Sequence, residues 1–131
     1  MNLFKSRGVK KWIYETYSVN TYHKGGGTAF DATDSKDFGK LVQILNSTLY
    51  STSNKSITPT YVLSARATTS DSWTELGRIT HGGGSFQIDV SDKKLYRYVR
   101  IYQSVSQWRR SDGNEVCSIE PWKVNYRYEE E

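Results

Sequence analysis

The run SFQIDV, residues 85–90, alternates without a break: Phe86, Ile88 and Val90 fall on one side, Gln87 and Asp89 on the other. A period of two marks a strand with one face buried, and here it recurs. TYVLSARA (60–67) sets Tyr61, Leu63, Ala65 and Ala67 against Val62, Ser64 and Arg66. KKWIYETYSV (10–19) sets Trp12, Tyr14 and Thr16 against Ile13, Glu15 and Tyr17, and EPWKVNYRY sets Trp122, Val124, Tyr126 and Tyr128 against Lys123, Asn125 and Arg127. LVQILN (41–46) adds a short apolar strand. Between these runs lie HKGGG (23–27), STSNKS (51–56), TTSDS (68–72), HGGG (81–84), SDKK (91–94) and RRSDGN (109–114), all turn-forming in composition. Short strands at regular spacing predict an all-β chain, an antiparallel sandwich or barrel. One helical turn is expected over DATDSKDFGK (31–40), with Asp31 or Asp34 as cap and Gly39 as stop. Pro121 cannot donate to a ladder and marks a bulge or edge at the start of the last strand.

The 131 residues suit a single domain, 1–131, with one core. Ten tyrosines and four tryptophans favour strands and polar loops over helices. The net charge of +4 is scattered and the chain closes on three glutamates. A duplex-binding protein gathers its charge on one helix or stripe, so this balance argues against a nucleic-acid partner. No apolar stretch approaches membrane-spanning length, which argues against a membrane. Cys117 is the sole cysteine, which excludes an internal disulfide and a cysteine metal site.

The run KLYRYVRIYQ (94–103) tests these readings, because basic and aromatic residues crowd it. Alternation puts Leu95, Arg97, Val99 and Ile101 on one side and Tyr96, Tyr98, Arg100 and Tyr102 on the other. An RNA-recognition strand needs a glycine-containing aromatic run on a sheet backed by two helices; this segment has neither. It reads as a structural strand, and because neither side is wholly polar, alternation alone does not choose its buried face. Catalysis also lacks a foundation. His23 and His81 adjoin glycine triplets in turn segments, no nucleophile elbow or metal-binding helix is present, and the triplets lack a phosphate-cradling context. The expected class is therefore a non-catalytic binding module, not an enzyme.

Residues 61–102, YVLSARATTSDSWTELGRI and then GGGSFQIDVSDKKLYRYVRIY, resemble the discoidin family of coagulation-factor C-type domains, within the galactose-binding-like superfamily. Trp73, Leu76, Tyr98, Val99, Arg100 and Ile101 fall on that family's motif positions, and Trp108 with IEPWKVNY is similar to its later tryptophan and closing strand. AFDATDSKDFGK is similar to its early loop, with Ala32 where the family prefers Gly and Phe38 where it prefers Trp. The family's terminal disulfide is absent, and its segment after the early loop is shortened or missing. The resemblance implies a jelly-roll-like, galactose-binding-like β-sandwich with at most one short helix, its first and last strands neighbours. It implies core positions for Trp73 and Trp122, a strand-bracing role for Arg100, and Leu95, Val99 and Ile101 feeding the core.

What the resemblance implies for function is a ligand site on loops at one end of the sandwich. Two loops have suitable groups: Tyr22, His23 and Lys24 in the first, Trp108, Arg109, Arg110, Asp112 and Asn114 in the second. A sugar offers C–H faces to an aromatic ring and hydroxyls to polar groups; the family's tryptophan at Trp108 is often packed, so Tyr22, His23, Arg109 and Arg110 weigh above it as ligand groups. The family's common structural cofactor, calcium, would match Asp31, Asp34 and Glu120, positions that serve equally as a capping Asp and a surface Glu. The N-terminus lacks the apolar core of an export signal. Together with the missing disulfides, this predicts a bacteriophage virion component of the tail, neck or capsid surface. Such a protein would be made in the host cytoplasm and would bind host-surface carbohydrate as a multi-copy or homo-oligomeric assembly with other virion proteins. The alternatives are a structural virion protein that contacts subunits without sugar, and an intracellular scaffold domain that binds a protein.

Overall fold

A computed structural model describes residues 11–25, 30–51, 60–81, 84–105 and 115–130. Among the described residues seven strands form: β1 (Trp12–Gly25), β2 (Phe30–Ser51), β3 (Thr60–Arg66), β4 (Thr74–Thr80), β5 (Gly84–Asp89), β6 (Leu95–Val105) and β7 (Glu115–Glu129). Every pairing is antiparallel, along the path β1-β7-β2-β6-β3-β4, with β5 added to β2. The alternating runs all become strands, and no helix occurs among the described residues.

The long strand β2 joins the two layers of the sandwich. Its first part, Phe30 to Asp37, pairs with β6, and β6 continues to β3 and β4. Its second part pairs with β7 on one side and β5 on the other. Asp37 faces Tyr98 but Val42 faces Tyr96, so β2 takes five steps where β6 takes two. Gly39 sits in this excess at φ 76°, a left-handed conformation that costs other residues energy. The Asp37 carboxylate accepts the Gly39 N–H at 2.8 Å and fixes the bend. The helical turn expected over 31–40 is therefore replaced by strand and bend, because pairing with β6 satisfies its backbone groups. Asp37 and Gly39 shape a corner, not a helix end.

Side chains from both layers close the core. Tyr61 of β3 meets Phe86 of β5 with ring centroids 4.8 Å apart, although these strands share no ladder. A Cβ at Gly77 of β4 would lie 2.6 Å from Ile88 Cγ2 of β5, so that glycine permits the close approach of the two layers. Val42, Ile44, Leu63, Val99, Ile101, Trp122 and Val124 are all buried in the same cluster. Trp122 thus occupies the core position implied for it.

Strand β6 departs from its expected faces at one end. Val99 and Ile101 are in the core, but Leu95 is 46% exposed and Tyr96 is buried. The extra residues of β2 opposite this segment break the alternation there. The phenol of Tyr96 turns inward and donates to the Asp92 carboxylate. At Pro121 the register slips against both neighbours of β7: Val19 faces Trp122 while Thr21 faces Ile119, and Thr48 faces Lys123 while Ser51 faces Ile119. The expected bulge is present, and it sits in a strand paired on both sides.

Candidate functional site

Chain connectivity gathers most of the loops at one pole. Gly25 of β1 faces Glu115 of β7, Ser51 faces Gly84 and Ile119, Phe30 faces Val105, and Thr60 faces both Ser104 and Thr80. The segments 26–29, 52–59, 82–83 and 106–114 therefore all leave from these strand ends. Of the first predicted ligand loop, Tyr22, His23 and Lys24 belong instead to β1, facing Ser118, Cys117 and Val116; the strand runs on through the start of the HKGGG turn signal. Trp108, Arg109, Arg110, Asp112 and Asn114 lie outside the described residues.

The predicted calcium positions are not on a loop. Asp31 and Asp34 are strand residues facing Ser104 and Ile101, and Glu120 lies in the slipped step of β7. Among the described residues no group of three or more His, Cys, Asp or Glu side chains converges.

Towards the loop pole, the outer face of the β5–β2–β7 layer holds an open cleft of about 400 Å³ lined by Thr48, Leu49, Tyr50, Ser85, Phe86, Gln87 and Lys123. The strands position it by their pairing: Thr48 faces Gln87 on one side and Lys123 on the other, and Tyr50 faces Ser85. Leu49 and Phe86 point into the core and form its floor. Tyr50 is 45% exposed, an aromatic ring offered to solvent beside an ammonium, an amide and two hydroxyls. Gln87 Nε2 donates to the Asp89 carboxylate, which orients the amide. Such a lining can stack on an apolar ring face and hydrogen-bond its polar rim.

Sequence reading placed Gln87 and Lys123 outward but left Tyr50 unassigned. The available signal was the continuation of alternation past residue 46, with Ser47 and Leu49 in and Thr48 and Tyr50 out.

The opposite layer carries a second aromatic and cationic group. Trp73, implied to be core, is half-buried in the β3–β4 connection, and the guanidiniums of Arg66 and Arg100 lie over its ring at 4.3 and 4.4 Å. Arg66 Nη1 also donates to the Thr69 and Asp71 carbonyls at 3.1 and 3.3 Å. Arg100 braces this connection against β6. The resemblance implied a brace between neighbouring strands; the contact seen is with an indole in a connection. Next to it, Arg97 grips Asp37 through Nε at 2.8 Å and Nη2 at 3.1 Å, and these bonds hold the Asp37 carboxyl below its ordinary range. At the pole of the chain termini, hydrogen bonds from Tyr128 and Tyr126 lower the Glu15 carboxyl, while burial first, then Glu15, pushes the Tyr126 phenol up to about 12.

No protein-family model and no curated protein sequence matches this chain. Among solved structures, it is similar to chitosan-binding module 1 of a chitosanase/glucanase from Paenibacillus sp. IK-5, with a TM-score of 0.52 and 14% identity over 78% of this chain and 74% of that one. CpGH89CBM32-6 produced by Clostridium perfringens gives a TM-score of 0.49 at 14% identity, over 88% and 94%. A chain of infectious bursal disease virus, Gx strain, gives 0.43 at 9% identity, over 92% of this chain and 32% of that one. The fold is thus the antiparallel β-sandwich found in the chitosan-binding module.

Proposed function

We propose that the chain is a non-catalytic carbohydrate-binding module whose ligand lies in the cleft of Thr48, Tyr50, Gln87 and Lys123. The observation that carries this reading is the exposed Tyr50 ring set among convergent donors and acceptors on a rigid sheet. Likeness in fold to a module that binds chitosan supports it. Hydrolysis of a glycosidic bond calls for two carboxyl groups astride that bond; the groups lining this cleft are those that hold a sugar, so the proposal is binding alone. Shallow polar sites exchange water hydrogen bonds for similar ones, about 0.5–1.5 kcal/mol net each, so a single copy binds weakly. On a bacteriophage particle, the setting proposed from sequence, symmetric repetition would raise avidity by about 10²–10⁴.

The test is native electrophoresis through gels cast with glycol chitosan, hydroxyethyl cellulose, xylan or polygalacturonate. At least one polymer should retard the wild type, and Tyr50→Ala should lose about tenfold in affinity for it with an unchanged melting temperature. Equal retardation of Tyr50→Ala would remove the cleft as the site.

A further inference from the structure

The geometry points to a linear polysaccharide, bound in extended form along the outer face of β1, β7, β2 and β5, as the ligand class. This rests on the carbohydrate reading above and extends its site beyond the Tyr50 cleft.

Four large apolar side chains among the described residues are 45% exposed or more: Tyr14, Leu41, Tyr50 and Leu95. Both aromatic rings in this group lie on the same sheet face. The register establishes it, because Tyr14 faces Arg127, Thr16 faces Asn125 and Ser18 faces Lys123, while on the other side of β7 Asn46 faces Asn125 and Thr48 faces Lys123. Cross-strand hydrogen bonds trace the face directly. Thr16 donates to Asn125 Oδ1, and Asn125 Nδ2 donates to Asn46 Oδ1, each at 2.6 Å. Arg127 Nε donates to Gln43 Oε1 at 2.9 Å, and Arg127 Nη1 donates to the Tyr14 hydroxyl at 3.0 Å.

The two rings therefore stand at opposite ends of a polar ladder. Along β7 the rows run from Arg127 to Lys123, and Tyr50 lies two residues beyond Thr48, the partner of Lys123, so the span is on the order of 20 Å at a strand's rise. That span exceeds one sugar ring and suits several in sequence. A second cleft, of about 360 Å³, opens beside Tyr14, Thr16 and Asn125, as the first does beside Tyr50.

The Tyr14 end is also held in place. The Arg127 guanidinium lies 4.0 Å over the Trp12 ring and bonds the Tyr14 phenol. Since that oxygen accepts from Arg127, its own hydrogen is left to donate to a ligand hydroxyl. Holding the ring before binding reduces the entropy lost when a chain stacks on it. A terminal sugar in a single pocket would use one platform. Two platforms with amides and hydroxyls between them match the repeating ring faces and hydroxyls of a polymer.

The experiment uses the same four gels with wild type, Tyr14→Ala and Tyr50→Ala, each checked for an unchanged melting temperature. In the gel that retards the wild type, each variant should lose about tenfold in affinity, the value of one aromatic contact. A six-sugar fragment of that polymer should compete about tenfold better than a two-sugar fragment. If Tyr50→Ala is impaired while Tyr14→Ala behaves as wild type, the extended site is wrong and the module reading stands. If six-sugar and two-sugar fragments compete equally, the extended site is likewise overturned. Retardation of both variants like wild type, or of no protein in any gel, overturns both readings.

Discussion

The Trp122 indole N–H donates to Ser47 Oγ at 2.9 Å, and neither residue has any exposed surface. The Ser47 hydroxyl in turn donates to the Lys123 carbonyl at 2.9 Å. One serine thus satisfies the largest core side chain and ties β2 to β7. Ser47→Ala leaves the indole donor buried without its acceptor and should destabilise the protein by about 1–3 kcal/mol. Urea denaturation measures this; an unchanged midpoint would mean that another group accepts from Trp122.

Two glycines should resist substitution for different reasons. Gly39→Ala meets no atom within 4 Å but must hold φ near 76°, so it should cost about 1–2 kcal/mol from backbone strain alone. Gly77→Ala drives a Cβ into Ile88 Cγ2 and should cost about 1–3 kcal/mol from overpacking. Only the second should be relieved by Ile88→Ala, with the double variant less destabilised than the sum of the singles. Strict additivity at this pair would show that the layers do not meet as described.

Alkaline stability should fall between about pH 10 and 12. Burial, then the Asp92 contact, pushes Tyr96 up to about 12, and Tyr126 is raised to about 12 likewise. A folded-state value above the unfolded one leaves stability intact below the unfolded value and removes it as pH rises through the folded value. Each tyrosine contributes a slope of up to about 1.4 kcal/mol per pH unit in that window. Tyr96→Phe should flatten the decline measured by urea titration at a series of pH values. An identical slope would show that Tyr96 ionises alike in both states.

Arg66 and Trp73 should couple more strongly than Arg100 and Trp73. Both pairs stack at nearly the same distance, worth about 0.5–2 kcal/mol, but Arg66 is also held in register with the ring by its bonds to the Thr69 and Asp71 carbonyls of the same connection. Double-mutant cycles with Trp73→Leu, read by thermal unfolding, separate the two. Equal coupling energies would mean that the carbonyl bonds contribute nothing to the stack.

Alternation determined the strands whose runs it marks, while β4 and the first part of β2 carried no such run. In SFQIDV and TYVLSARA each side chain's side is set by pleat parity, so Phe86, Ile88, Tyr61, Leu63 and Ala65 were legible as core, and all are buried. Parity also placed Trp122 and Val124 inward and Gln87 and Lys123 outward. The bulge at Pro121 was legible because a missing N–H is a local fact. Tertiary structure decided the rest. Whether Leu95 or Tyr96 enters the core depends on the extra residues of β2 across from them, and that excess exists only once β2 and β6 are paired. The segment 31–40 carries helix-capping residues, yet pairing with β6 outweighs their local preference. Trp73 has no parity to read, lying between strands; Arg66 at the end of β3 and Arg100 of β6 fix its place together. The candidate site was the least legible part. Tyr50, Gln87 and Lys123 come from three strands, and only the sheet's order and register set them side by side.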